Sequence, residues 1–364
     1  MTLNKRISLV INPGSTSTKI GVFQDRELSF EKTIRHTPEE LEPFADILDQ
    51  LEFRKQTVLG ALAEEHFDLS TLDFIMARGG VLRPMPSGTY RINPQMLDDL
   101  RNSSTRHASN IAAFIAYALS QDLGGLPCYI ADPVVVDELE PVARISGNSH
   151  FVRKSFLHAL NQKATARRYA AEIGRPYEQL NLIVAHMGGG VSVAAHRNGR
   201  AVDVNQAIDG EGPFSPERSG TLPVGDLVRL CFSGRYTEKQ VLSMINGRGG
   251  VMSYLGVSDM RDVVRMASQG DAQAALVLDA MAYQIAKEIG SLAPVFSGAV
   301  DAILLTGGIA HNTAVMERLI PRIEFIAPVK LYPGEDELGS LVEAGLAACS
   351  GERPAQDYPP FQEA

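Results

Sequence analysis

Residues 7–34 read ISLVINPGSTSTKIGVFQDRELSFEKTI. Three apolar runs, around 7–11, 19–23 and 28–34, are separated by an Asn-Pro-Gly-Ser turn and a Gln-Asp-Arg turn. Short apolar runs punctuated in this way predict strands joined by tight turns, so the stretch predicts an antiparallel β-meander. The layout returns in residues 181–206, NLIVAHMGGGVSVAAHRNGRAVDVNQ, as two strands around a glycine turn, an Asn198-Gly199 hairpin and a third strand. A meander that occurs twice predicts an internal duplication. Residues 109–123, 163–173 and 273–291 carry apolar side chains at three- and four-residue spacing and predict helices. A third strand-turn-helix signal, DAILLTGGIAHNTAVMERL at 301–319, places a Gly-Gly turn after an apolar strand. The class is mixed α/β.

A chain of 364 residues exceeds one ordinary core. The expected division is 1–180 and 181–350, with the last helix crossing back to the first domain and 351–364 forming a surface tail. Hydrophobic residues are 45% and charged residues 21%, with no apolar run approaching the roughly 20 residues of a membrane span. The first residues, MTLNKRISLVINPGS, hold a basic pair but no apolar stretch of about 7 to 15 residues before a cleavage site, so no export signal is read and a cytoplasmic protein is expected. Cys128, Cys231 and Cys349 lie far apart without a CxxC pair, which predicts reduced, buried thiols rather than a disulfide or zinc framework. The net charge of −9 argues against a nucleic-acid partner and requires that any anionic substrate meet local positive charge.

Two segments carry that local character. The run Asn12-Pro-Gly-Ser-Thr-Ser-Thr-Lys19 packs a glycine, four hydroxyls and an ammonium between two strands. Such a turn can offer N–H groups, the hydroxyls of Ser15 and Ser17, and Lys19 to a phosphate. His186-Met-Gly-Gly-Gly190 repeats the arrangement at the duplicated position, where glycines let the backbone approach an anion. Gly307-Gly308, after an apolar strand, adds backbone amides that can face a nucleotide.

Two such hairpins in duplicated halves, with a late Gly-Gly turn, resemble the superfamily of actin, sugar kinases and heat-shock chaperones, and within it the family of acetate and butyrate kinases. The residues that carry the resemblance span nearly the whole chain. They are Asn12 to Lys19, Arg78-Gly-Gly, Arg106-His107, Asp132, Phe156-Leu-His158, His186 to Gly190, Glu217-Arg218-Ser-Gly, Ser258-Asp-Met-Arg261, Leu305-Thr-Gly-Gly-Ile-Ala and Glu335-Asp-Glu337. RGGVLRPMPSGTY and FLHALNQKATAR resemble the butyrate branch. The resemblance implies two duplicated actin- or ribonuclease-H-like domains, each with a mixed five-stranded sheet flanked by helices, around an interdomain cleft. It implies a Mg²⁺-dependent phosphotransferase acting between ATP or ADP and a short-chain carboxylate or its acyl phosphate, assembled as a homodimer or larger homo-oligomer.

Its implied site is specific. Arg78 and Arg218 clamp carboxylate and phosphoryl oxygens, a task suited to bidentate guanidinium donors. Asp132, after a strand-like Pro-Cys-Tyr-Ile-Ala, can hold Mg²⁺ directly or through waters. No base is needed, because a carboxylic acid is already ionised near neutral pH. His158 would hydrogen-bond the transferred group, with His107 behind it. Asn12, Asp132 and Glu337 are the implied metal residues, with Glu335 and Asp336 as alternatives in register. Nucleotide contacts fall to Asn12, Ser15, Ser17, Lys19, His186, Gly188, Gly189, Gly190, Asp259, Met260, Arg261, Gly307, Gly308 and Ile309. In the acetate branch an Arg precedes a His-Gly-Gly by several residues, whereas Arg78 abuts Gly79-Gly80, which leaves Arg83 as a second candidate clamp. The competing readings are a nucleotide-gated chaperone-like or repressor module, which would carry an extra domain, and a sugar kinase, whose aspartate would act as a base.

Overall fold

The computed structural model describes residues 5–103, 105 and 107–358. Arg106 and the end of the expected tail lie outside the described residues. The chain forms two compact units, Met1–Val136 with Asp336–Ala364, and Asp137–Glu335.

In the first unit the opening meander is β1 (Ile7–Pro13), β2 (Ser17–Gln24) and β3 (Glu27–Arg35). β4 (Phe74–Arg78), β5 (Thr89–Arg91) and β6 (Cys128–Ala131) follow. With the short strand Gln356–Asp357 they form a seven-stranded sheet in the order Gln356–Asp357, β5, β6, β4, β1, β2, β3. β1, β4 and β6 run parallel, while β2 and β3 return antiparallel. β4 is buried from Phe74 to Ala77, as a parallel strand covered on both faces must be. Helix Glu337–Ser350 lies so close to it that a Cβ on Gly345 would sit 2.4 Å from Phe74 and 2.7 Å from the Met76 sulfur.

The second unit repeats the plan with β7 (Leu182–Met187), β8 (Val191–Arg197), β9 (Arg200–Val204), β10 (Ala302–Gly307) and β11 (Val329–Pro333). Its sheet order is β11, β10, β7, β8, β9, with β7, β10 and β11 parallel. The order β9-β8-β7-β10-β11 matches β3-β2-β1-β4-β6, so the expected duplication is present, and the first sheet adds β5 and the terminal strand to the five strands expected. Asn198 and Gly199 both have positive φ, 52° and 73°, the backbone that a two-residue hairpin between twisted strands requires.

The division of the chain differs from the expected 180/181. Helix Ala159–Glu172 packs Ala166, Tyr169 and Ala170 against Leu182, Val184, Ala302 and Leu304 of the second sheet. On the other face, Ile183, Ala185, Ile303 and Leu305 meet helix Ala272–Leu292 through Leu278, Met281, Ile285 and Ile289. Each large side chain so buried contributes roughly 1.5–3 kcal/mol, which ties both helices to this sheet. The segment expected as a tail is partly structured, since Gln356–Asp357 pairs with β5 and Tyr358 is buried. Cys128 is buried, with its thiol pushed up to about 11 by burial, but Cys231 is exposed, because helix Val224–Cys231 buries none of its residues.

The first hairpin is shaped from beneath by a side chain of helix Leu51–Glu64. Arg54 is completely buried. Its guanidinium donates to the carbonyl oxygens of Gly14 (2.9 Å), Ser17 (2.9 Å) and Ser15 (2.8 Å), and to Thr18 Oγ1 (3.1 Å), while Nε donates to Gln50 Oε1 (2.8 Å). Burial pulls Arg54 down to about 10, so it remains charged at neutral pH. Thr18 Oγ1 also lies 2.9 Å from His36 Nε2, and burial and the Arg54 charge lower the His36 pKa.

Arg54→Met keeps the helix and an apolar stem but removes the donor from three main-chain carbonyls. At about 1–3 kcal/mol for each buried group left unpaired, the variant should lose about 3 kcal/mol of stability or more. Gly60, exposed in the same helix with nothing within 4 Å of a built Cβ, offers the opposite case. Gly60→Ala should add about 0.5–1 kcal/mol. Urea unfolding midpoints check both, and an Arg54→Met midpoint at or above that of the parent would remove the guanidinium from this role.

Candidate active site

Asn12, Arg78 and Asp132 stand at the C-terminal ends of β1, β4 and β6 or one residue beyond, the edge where open α/β sheets bind ligands. Parallel register sets Ile11 beside Ala77 and Arg78 beside Ala131. Glu337 joins them from the first turn of helix Glu337–Ser350. Its carboxylate accepts from the Asn12 amide and forms an ion pair with Arg78, and Arg78 Nη1 lies 3.5 Å from Asn12 Oδ1. Three expected residues thus form one cluster. Asp132 is buried, and its Oδ1 accepts from Ser87 Oγ (2.6 Å) and the Gly88 N–H (2.8 Å). Its φ of 40° is uncommon for a residue with a side chain, and such backbone strain concentrates at functional sites.

The acidic run is divided among three tasks. Glu337 joins Asn12 and Arg78, Asp336 caps the helix by accepting from the Gly339 N–H (2.8 Å), and Glu335 lies 3.2 Å from His186 Nε2. Arg83 forms an ion pair with Asp99 at 2.7 Å. Asn12, Asp132 and Glu337 offer hard oxygen donors of the kind Mg²⁺ takes. Among the described residues, no group of three or more His, Cys, Asp or Glu is gathered into a cage. Mg²⁺ does not require one, since one or two carboxylates and phosphate oxygens suffice.

In the second unit, His158 and His186 stack with ring centroids 3.8 Å apart and planes 13° apart. His158 precedes helix Ala159–Glu172, and its Nδ1 lies 2.9 Å from Ser192 Oγ. His186 is the penultimate residue of β7 and meets Asn161 Oδ1 at 2.8 Å through Nδ1. The glycine turn is closed by Gly188 N–H donating to Gly190 O (2.9 Å) and Ser215 Oγ donating to Gly189 O (2.6 Å). Arg218 lies against Gly190 so closely that a Cβ there would fall 1.9 Å from its Nη1. Arg218 Nη1 also donates to Ala207 O (2.8 Å), and burial lowers its pKa against the opposing pull of Glu217 and Asp209. Gly307, at φ 88°, passes where a Cβ would meet Met187 O at 2.4 Å, so this crossing of β10 and β7 demands glycine. Gly308 and the buried Ile309 follow in a 3₁₀ turn that precedes helix Thr313–Leu319.

Other expected residues take up separate positions. The polar run of the first hairpin is mostly strand, because β2 begins at Ser17, and Thr18 points inward. Ser15 and Ser17 present their carbonyls to Arg54, and Lys19 pairs with Glu31 at 3.0 Å. Asp259 caps helix Met260–Ser268 and pairs with Arg261 at 2.6 Å, which together with the Arg261 N–H lowers it to about 2. Met260 is buried in the core. His107 is exposed, 2.7 Å from Ser109 Oγ through Nδ1. Sequence reasoning missed Arg54, Asn161, Ser192, Ser215 and Glu335 as the partners that hold these groups.

The acetokinase family profile matches residues 138–331. The chain is 54% identical to butyrate kinase 1 of Clostridium acetobutylicum over 96% of its own length and 99% of the relative's. It is 52% identical to butyrate kinase 2 of the same organism, over 96% and 98%. Among solved structures, the acetate kinase of Porphyromonas gingivalis superposes with a TM-score of 0.74 at 19% identity, covering 93% of this chain and 98% of that one, which supports the two-domain fold. With a matching profile and a near full-length relationship at more than half identity, the chain belongs to the acetokinase family.

Proposed function

We propose that this protein phosphorylates butanoate reversibly with Mg-ATP, giving butanoyl phosphate and ADP by direct in-line transfer. The observation that carries the proposal is the identity to two butyrate kinases along almost the whole chain. The clusters fit the chemistry. A carboxylate is a poor nucleophile, and phosphoryl transfer leaves the protein mainly to position reactants and neutralise charge. In the first unit, Arg78 supplies a guanidinium for the carboxylate, while Asp132 and Glu337, with Asn12, would hold Mg²⁺. When bound, the ion offsets phosphate charge. Glu337 already neutralises Arg78, so substrate binding exchanges one carboxylate partner for another. In the second unit, the Gly188–Gly190 turn and Gly307-Gly308 supply backbone approach for the nucleotide, and Arg218 and His158 supply donors for the transferred oxygens. A cytoplasmic homodimer or larger assembly completes the proposal. No helix among the described residues is long and apolar enough to cross a membrane.

Acyl preference follows from burial. Each buried methylene contributes about 0.8 kcal/mol, so two should favour butyrate over acetate by about 15-fold in kcat/KM. A hydroxamate assay across acetate, propionate, butyrate, isobutyrate and valerate at saturating Mg-ATP measures this. Acetate equal to or better than butyrate would sink the butyrate reading.

Arg218→Ala should lower kcat by about 10² to 10³, the loss of one charge-assisted contact made in the transition state. A folded Arg218→Ala enzyme with parental kcat would falsify the clamp. Glu337→Ala should shift activity to higher Mg²⁺ concentration, whereas Glu335→Ala, whose carboxylate faces His186, should not. If Mg²⁺ titrations return the reverse pattern, the metal assignment moves to Glu335.

A further inference from the structure

Behind the stacked imidazoles runs a line of buried polar side chains that the phosphoryl chemistry leaves unused. Tyr177 Oη lies 2.6 Å from His196 Nδ1, and His196 Nε2 lies 2.9 Å from Gln162 Oε1. Gln162 Nε2 lies 3.0 Å from the Ser192 carbonyl and 2.9 Å from Ser192 Oγ, which lies 2.9 Å from His158 Nδ1. His196, Gln162 and Ser192 are fully buried and Tyr177 nearly so, so water is excluded from the links among these four, and half-buried His158 ends the line.

The hydrogens along this line are determined by one group that has no choice. The Ser192 main-chain carbonyl can only accept, so the amino end of Gln162 must face it and Gln162 Oε1 must face His196. His196 therefore donates from Nε2 and accepts the Tyr177 hydroxyl hydrogen at Nδ1. That is a neutral ring, as burial and the charges of Lys163 and Arg167 also require by holding its pKa well below the ordinary value. The second amino hydrogen of Gln162 goes to Ser192 Oγ, which also receives the His158 main-chain N–H at 3.4 Å. With both lone pairs filled, the Ser192 hydroxyl has one place for its own hydrogen, His158 Nδ1.

We propose that Ser192, Gln162, His196 and Tyr177 are positioning residues that fix His158 in the tautomer with its proton on Nε2. The ring then presents a permanent donor at Nε2, and no proton has to be moved before it can serve. A proton added at Nδ1 would meet a serine oxygen already saturated with donors and would place charge 3.8 Å from the His186 ring. The kinetic consequence rests on the reading that His158 donates to the transferred phosphoryl group, whereas the tautomer does not.

The test is long-range ¹H–¹⁵N correlation on full-length protein labelled at histidine nitrogen, with His158 assigned by its loss in His158→Gln. The expected parent spectrum has an unprotonated Nδ1 and a protonated Nε2. Ser192→Ala should yield a mixture of tautomers and a kcat lower by about tenfold to a hundredfold with nucleotide KM little changed. Ser192→Thr, which keeps the hydroxyl, should restore the parent pattern. A parent ring protonated at Nδ1, or a Ser192→Ala spectrum identical to the parent's, overturns the relay. Should Ser192→Ala fail to fold, the parent spectrum alone decides. Tautomer mixing in Ser192→Ala with unchanged kcat supports the relay and counts only against the phosphoryl role of His158.

Discussion

A hairpin that turns its amides toward an anion must turn carbonyls the other way, and those carbonyls need donors. Both candidate phosphate hairpins depend on meeting that requirement, and they meet it differently. In the first, a single buried guanidinium gathers the carbonyls of Gly14, Ser15 and Ser17. All its partners there are neutral, so a full positive charge lies directly under the turn. In the second, three glycines fold more tightly, Gly188 N–H closes on Gly190 O, and the Ser215 hydroxyl takes Gly189 O. The cation there lies against the turn, as Arg218 packed on Gly190. In a chain whose overall charge is −9, these two arginines set positive charge against the two hairpin turns.

The acidic run at 335–337 shows how one residue of register decides chemistry. The division between the two units falls between Glu335 and Asp336. Glu335 is the last residue of one unit and faces His186. Asp336 must cap, because a helix start leaves N–H groups unpaired. Glu337, in the first turn, has its carboxylate favoured by the helix dipole and turned toward Asn12 and Arg78. Three like residues in sequence acquire unlike roles because one precedes the helix, one caps it and one lies in its first turn.

What could be read from sequence follows from what turns and periodicity encode. The meanders were legible because their breaks are chemically explicit, and Asn198-Gly199 is a dipeptide with few other uses. Asn12, Arg78, Glu337, His158 and His186 were named as candidates through family motifs, and the structure brings them into two local clusters. Arg54 left no trace, since LEFRKQTVLGALAE reads as an ordinary helix and its partners are main-chain carbonyls, which have no side-chain signature. Ser192 and Gln162 were hidden for a related reason, as small or polar residues in a strand and a helix carry no sign of which way they face. The unit boundary was misplaced because helix Ala159–Glu172 precedes the second meander in sequence but covers the second sheet in space.

The duplication clarifies why the two hairpins diverged. Their penultimate register pairs are equivalent, Asn12 with Lys19 in one and His186 with Ser192 in the other. Lys19 is about two-fifths exposed and its ammonium reaches Glu31 on β3. Ser192 is fully buried. A long charged side chain at the buried position would require an expensive ion pair, of the kind Lys163 and Glu138 form nearby at 2.6 Å, whereas a serine leaves room for Gln162 and His158 to approach β8. Once that space exists, the strand position can orient a neighbouring ring as well as pair with its own partner. The duplicated backbone thus presents one geometry twice, and the burial of a single strand position determines whether it carries a surface charge or an internal hydrogen-bond relay.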